Sequence, residues 1–196
     1  MAEVSTAVDV ARQIADVLER HGLPYAIGGA LALGFYAPPR ATVDVDVNIF
    51  VDPAGDFDAI LRALGSAGFV AAETLDTLRR QALAEGQFRG SVQGLRVDVF
   101  VPAIPYYARL EKRRREVILL DRPIWIVAPE DLAVLKLMFF RRKDLADVEA
   151  IYRDQGAALD RNQIRKTLLE LVGDEDPRLD ALAAIERDVD STAGES

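Results

Sequence analysis

Arg40-Ala41-Thr42-Val43-Asp44-Val45-Asp46-Val47-Asn48-Ile49 is the stretch on which the reading of this chain turns. Side chains of a β-strand alternate between two faces with period two. The alternation predicts a strand over Val43 to Val51, with Val43, Val45, Val47 and Ile49 on a buried face. Asp44, Asp46 and Asn48 then share the opposite face. Asp is depleted in strands, so two on one face are informative. Carboxylates two residues apart lie roughly 7 Å apart at their Cα atoms, so both can reach one cation or straddle a pair. Mg²⁺ prefers hard oxygen ligands and commonly takes one or two carboxylates plus substrate phosphates. A solvated polar face would show the same alternation, so the pair alone does not decide.

A second strand extends the pattern. Arg96-Val97-Asp98-Val99-Phe100-Val101 also alternates, with Asp98 on the polar side. If the two strands are neighbours, Asp98 joins Asp44 and Asp46. Three converging carboxylates repel one another unless a cation intervenes. Two metal ions, clamping the attacking and leaving oxygens of a phosphoryl transfer, would account for all three. Upstream, Ile27-Gly28-Gly29-Ala30 reads as a strand, a glycine turn and a helix, about 15 residues before the carboxylates. Glycine lets backbone approach a ligand closely, and a helix N-terminus offers N–H groups and a positive dipole end to phosphate.

Around this centre the pattern is α+β. A helix with Val4, Val8, Ala11, Ala15 and Leu18 at helical spacing opens the chain, with Ser5 as its expected cap. Tyr25 to Ile27 is a short strand, Ala30 to Tyr36 a short helix and Asp56 to Ala67 a longer one. Gln87–Val92 and Leu95–Val101 form a hairpin around Gln93-Gly94, and Glu116–Leu120 and Ile124–Val127 form another. From Pro129 the periodicity turns helical over Glu130–Phe140, Asp144–Arg153, Asn162–Val172 and Pro177–Val189. The expected organisation is a core over 1–128, a C-terminal helical region over 129–190 packed on it, and a frayed tail over 191–196.

Composition sets the bounds. The chain has 196 residues, half of them hydrophobic, no cysteine and a net charge of −8. Absence of cysteine excludes disulfides and thiolate metal sites and fits a reducing cytosol. No stretch approaches the roughly 20 apolar residues that cross a bilayer, so the expectation is a soluble, cytoplasmic protein with no membrane partner. Net acidity argues weakly against a nucleic-acid partner, although Arg109 to Arg115 and Arg141 to Lys143 form basic clusters. Arg113–Arg115 reads as a solvated face, with Tyr106-Tyr107 beside it as rings that could stack on a base. Trp125 reads as core packing and His21 as a helix C-terminal group.

Gly28-Gly29-Ala30-Leu31-Ala32, Arg40-Ala41-Thr42 and Asp44-Val45-Asp46, taken together, resemble the nucleotidyltransferase superfamily with the polymerase-beta-like fold, in its minimal and AbiEii-toxin-like branch. Glu130-Asp131-Leu132-Ala133-Val134-Leu135-Lys136 and Arg142-Lys143-Asp144-Leu145-Ala146-Asp147 resemble the helical lysine motif of that branch. The resemblance covers about residues 22–154. It implies a mixed sheet flanked by helices with a C-terminal helical segment. It also implies Mg²⁺, two ions with Mn²⁺ as a substitute, on Asp44, Asp46 and Asp98, and an NTP as substrate. Asp98 would also act as base toward the acceptor hydroxyl. Gly28 and Gly29 would hold the nucleotide phosphates, Arg40 and Thr42 would position phosphates or brace the strand, and Lys136 would face the triphosphate. Lys143, Asp144 and Asp147 would order the surrounding helices. Gly29 stands where many members carry Ser, and Asn48 where an apolar residue is usual.

The expected function is transfer of a nucleotidyl group from an NTP to an acceptor hydroxyl with release of pyrophosphate. The acceptor could be RNA, a protein or a small molecule. The resemblance further implies a toxin held by an antitoxin protein. The alternatives are a catalytically silent binding or regulatory protein of the same fold, and an antibiotic-modifying nucleotidyltransferase.

Overall fold

The computed structural model describes residues 5–193. Within them the chain divides into two compact units, one formed by the described residues up to Ala32 together with Arg40–Val127, the other by Leu33–Pro39 and the described residues from Ala128 onward. Helix α9 (Pro177–Ala193) runs through 191–193, which are helical, and 194–196 lie outside the described residues. Val4, the first expected apolar position, also lies outside them.

The first unit carries one seven-stranded mixed sheet. Its strands are β1 (Tyr25–Ile27), β2 (Asp44–Ile49), β3 (Val70–Ala71), β4 (Gln87–Val92), β5 (Leu95–Phe100), β6 (Arg115–Leu119) and β7 (Arg122–Ile126). They lie side by side in the order β3-β4-β5-β2-β1-β7-β6. β2 runs parallel to β5, β1 runs parallel to β7, and the remaining neighbours are antiparallel. The two strands expected to bear carboxylates are thus adjacent at the centre of the sheet.

Helix α1 (Ala7–Arg20) buries Val10, Ala11, Ile14, Val17 and Leu18, and it packs on β1, β2 and β7. Its cap is Thr6 rather than Ser5. The Thr6 hydroxyl accepts from Asp9 N at 3.2 Å, and the Asp9 carboxylate accepts from Thr6 N at 2.9 Å. This reciprocal pairing satisfies two otherwise orphaned helix donors; the Thr6 hydroxyl, which also donates to the Asp9 carboxylate at 2.7 Å, and then the Thr6 N–H hold that carboxyl below its ordinary range. His21 ends the helix, its Nδ1 2.7 Å from Val17 O. Helix α3 (Pro53–Ser66) packs against α1 and is capped by Asp52. The sequence pattern missed β3, helix α4 (Leu75–Glu85) and helix α5 (Tyr106–Arg113).

Strand β2 departs from strict alternation at both ends. Val43 lies outside the strand and is 77 % exposed, whereas Asn48 is only 2 % exposed. Val45, Val47 and Ile49 are fully buried as expected. Asn48 belongs inside because its amide donates to the carbonyl of Ala26 at 3.3 Å, and a buried polar group is tolerated when so bonded.

The second unit is helical: α6 (Pro129–Phe139), α7 (Arg142–Gln155), α8 (Arg161–Val172) and α9. Leu132, Ala133, Val134, Leu137, Val148, Ile151, Tyr152, Ile164, Leu168 and Leu182 form its core. Phe140 adopts a left-handed conformation that ends α6, and Arg141 begins the next cap.

Candidate active site

Register places the charged residues. Across the parallel pair, Asp44 stands opposite Arg96 and Asp46 opposite Asp98. Across the β4–β5 hairpin, Arg89 stands opposite Asp98. Residues paired in register project from the same face of a sheet, so Asp44, Asp46, Asp98, Arg89 and Arg96 share one face. The other face carries Val45, Val47, Val97 and Val99, all fully buried. Burial of these valines fixes the register, because a slip of one residue would turn the carboxylates into the core.

The glycine turn meets the same strand. Gly28 N donates to Asp46 O at 2.8 Å, and Gly28 O receives Ala32 N at 3.1 Å. Gly29 has φ +57°, and a Cβ built there would stand 2.7 Å from the Asp46 Cγ. Glycine is therefore required twice at this position, by backbone conformation and by the carboxylate lying over it. At Gly28 a Cβ would lie 3.1 Å from the Asn48 Nδ2, so Asn48 fills the space that the missing side chain leaves. Helix α2 (Gly29–Leu33) has only five residues. Its dipole is correspondingly small, and the Gly28 N–H is committed to the Asp46 carbonyl.

Thr42 braces the first carboxylate. Its hydroxyl donates to Asp44 Oδ1 and accepts from Asp44 N at 3.4 Å. Arg40 is exposed just before the strand.

The electrostatics of the face rest on two arginines that the sequence reading passed over. The Arg96 guanidinium pairs with Asp44 through Nη2 and with Asp98 through Nε at 3.1 Å. Arg89 Nε pairs with the other oxygen of Asp98. The carboxylate side chains are largely covered, at 22 % exposure for Asp44 and 12 % for Asp98. The two guanidinium side chains are 49 % and 59 % exposed. Period-two spacing could have revealed Arg96 beside Asp98, and the two-residue turn at Gln93-Gly94 fixes Arg89 opposite it.

The remaining expected residues fall in the second unit. Lys136 is buried in α6, with its ammonium 2.7 Å from Asp147 Oδ2 and 3.8 Å from Asp144 Oδ1. Asp144 is fully buried and accepts from Arg141 N at 3.2 Å and from the Arg141 guanidinium at 2.6 Å. Asp144 therefore starts α7 while sharing the charge of Lys136. Lys143 is exposed on the first turn of that helix. The structure thus gathers Asp44, Asp46, Asp98, Gly28, Gly29 and Thr42 in one unit, and Lys136, Asp144 and Asp147 in the other.

Tyr106 and Tyr107 do not offer rings to a base, because both are buried. Burial pushes the Tyr107 hydroxyl well above its ordinary range. Arg109 and Arg113 lie 5.7 and 5.9 Å from the Tyr106 ring, and Arg114 lies 4.5 Å from the Trp125 ring, so the basic run is anchored on aromatic faces. Trp125 is half-buried beneath Arg114 rather than enclosed in the core.

Three carboxylates on one face of adjacent strands suit a hard divalent cation in kind and number. Among the described residues, no three acidic, imidazole or thiolate side chains are drawn together as a metal cluster. Positive charge at this face comes from Arg96 and Arg89. Arg96 bridges Asp44 and Asp98 as a shared cation would, so the donors fit such an ion and the bridging position is already one for positive charge. Among the described residues no helix is long and apolar enough to cross a membrane.

No family model matches the sequence, and no curated protein matches it either. Solved structures do match. The antibiotic-resistance factor ANT(2″)-Ia, in a crystal complex with adenylyl-2″-tobramycin, aligns with a TM-score of 0.60 at 17% identity, over 85% of this chain and 99% of its own. A solution structure of that factor aligns with a TM-score of 0.57 at 16% identity, over 84% and 90%. An antigenic nucleotidyltransferase-like protein from Paracoccidioides brasiliensis aligns with a TM-score of 0.50 at 18% identity, over 91% and 92%.

Proposed function

We propose that this chain, which has the nucleotidyltransferase fold, transfers a nucleotidyl group from an NTP to an acceptor hydroxyl and releases pyrophosphate. The observation that carries the reading is the register that sets Asp46 beside Asp98 and Asp44 two residues away on the same face. Asp44, Asp46 and Asp98 would hold Mg²⁺, or Mn²⁺ in its place. When bound, the metal would neutralise phosphate charge and polarise the reacting phosphoryl group.

The chain's own groups supply the rest. The glycine turn would face the phosphates through the Gly29 N–H, because the Gly28 N–H is already bonded to Asp46 O. Thr42 fixes the Asp44 carboxylate, so little reorientation remains when ligand arrives. Asp98 would accept the proton of the acceptor hydroxyl as its oxygen attacks the α-phosphorus. Within the helical unit, Asp144 and Asp147 hold the Lys136 ammonium.

The test is transfer of label from α-³²P NTPs to components of a cell extract, with pyrophosphate measured in parallel. Label transfer that needs Mg²⁺ and disappears in Asp44→Ala supports the proposal. Transfer that survives Asp44→Ala sinks it.

A second reading makes the acceptor an antibiotic. It is favoured by the alignment with ANT(2″)-Ia and by the net charge of −8, which suits a cationic acceptor. A panel of aminoglycosides incubated with ATP and read by mass spectrometry separates it from the first. The finer AbiEii-like reading, a toxin neutralised by an antitoxin protein, is tested by growth arrest on induction, which Asp46→Asn should relieve.

A further inference from the structure

We propose that Arg96, assisted by Arg89, is a latch on the carboxylate face that a metal ion must displace, so that this arginine pair sets the metal affinity. The inference rests on the metal-binding reading above and adds to it a determinant that the carboxylates alone do not contain.

Three observations carry it. First, Arg96 does not touch one carboxylate but spans two, Asp44 through Nη2 and Asp98 through Nε. It stands opposite Asp44 in register on the neighbouring strand, so its backbone is fixed within reach of both. Second, Arg89 holds the remaining oxygen of Asp98 from the strand on the other side of β5. Both oxygens of Asp98 are therefore engaged by arginine, and so is one oxygen of Asp44, whose other oxygen accepts from Thr42. Third, exposure is unequal: the acids are mostly covered and the guanidinium side chains are about half exposed. The acid side chains are packed under cover on the face. The half-exposed arginine side chains have solvent beside them to turn into.

Such an arrangement answers the problem that adjacent acids pose. Carboxylates held close on one face repel each other unless positive charge is present. A planar guanidinium with several donors satisfies them in pairs. A divalent cation brings a compact double charge to the same oxygens. Each carboxylate oxygen keeps a second lone pair, but a guanidinium that spans Asp44 and Asp98 stands where a shared cation would sit, and two positive charges at one position repel, so each metal-binding event includes release of the arginine contacts. A released Arg96 or Arg89 is then a cation beside the site, where a triphosphate carries its negative charge.

Removing the latch should tighten metal binding even though nothing is added to the metal site. The experiment is Mn²⁺ binding by electron paramagnetic resonance and by calorimetry, without nucleotide, on the wild-type chain, Arg96→Met, Arg89→Met, Arg96→Lys and Asp44→Asn. Arg96→Met should bind about tenfold more tightly, equivalent to about 1.4 kcal/mol, and Arg89→Met several-fold more tightly. Arg96→Lys keeps the charge but lacks the two-pronged bridge, so it should also tighten binding. A long-range field effect would leave Arg96→Lys at the wild-type value, and that result overturns the latch.

Equal affinity of wild type, Arg96→Met and Arg89→Met, with loss in Asp44→Asn, also overturns the latch while leaving the metal site standing. Absence of binding in every variant overturns the latch and the metal reading together. Melting curves of each variant confirm that the comparison is made between folded chains.

Discussion

Replacing Gly29 by alanine isolates the demand that the carboxylate strand makes on the glycine turn. Gly29 sits at φ +57°, a region that costs an L-residue roughly 1–2 kcal/mol. A Cβ there would also lie 2.7 Å from the Asp46 Cγ and 3.1 Å from its Cβ, so the carboxylate must rotate away. Displacing a packed side chain from its rotamer adds about 1–3 kcal/mol. Gly22 is the natural control. It has φ +66° but nothing within 4 Å of a built Cβ. Gly22→Ala should therefore show only the backbone cost, and Gly29→Ala should lose about 1–3 kcal/mol more. Urea denaturation of both variants measures the difference. Mn²⁺ binding should be unchanged in Gly22→Ala and weakened at least tenfold in Gly29→Ala, because Asp46 has been turned out of place. If the two variants are equally stable and bind Mn²⁺ alike, the carboxylate does not depend on the glycine and the packing argument is wrong.

Other perturbations follow from particular contacts. Lys136→Met leaves Asp147 and Asp144 without their buried ammonium, so stability should fall by about 3–5 kcal/mol, whereas the double variant Lys136→Met/Asp147→Leu should recover much of it; thermal melts compare the two. Asn48→Ala removes the amide that bonds Ala26 O and should cost about 1–2 kcal/mol in urea unfolding. Burial pushes the hydroxyls of Tyr25, Tyr107 and Tyr152 above their ordinary range. A raised pKa in the folded state means stability is intact below pH about 10 and declines as pH rises through that value. Phenolate absorbance should show those three tyrosines ionising only with unfolding, and Tyr107→Phe should lessen the alkaline loss.

Much of the site could be read from the chain because its strands obey a simple rule. Val45, Val47, Val97 and Val99 alternate with acids, and burial on one face leaves the acids on the other. The glycine turn was visible for the same reason, since only a turn explains two glycines between a strand and a helix. Other parts were hidden by physics that alternation does not express. Val43 looked like the first buried valine but precedes the strand, so nothing covers it. Asn48 looked exposed by polarity but is buried because a backbone carbonyl of β1 receives its amide. Helix α4 escaped notice because only Leu78 and Ala82 are buried along it, too sparse a stripe to show periodicity. Helix α5 was obscured by its basic residues, of which Arg109 and Arg113 lie over Tyr106. Arg89 and Arg96 were legible in principle. A cluster of acids needs its counter-charge, and these are the basic residues that the register sets beside it.

Calorimetric binding of a non-transferable NTP analogue to wild type and to Asp46→Asn, each with and without Mg²⁺, tests the central claim most directly. Asp46 lies in register with Asp98 and over Gly29, so it belongs to both the carboxylate face and the glycine turn. Binding should require Mg²⁺ in the wild-type chain and be lost in Asp46→Asn. Binding of equal strength without Mg²⁺, or undiminished in Asp46→Asn, would contradict a metal–nucleotide site on the carboxylate face.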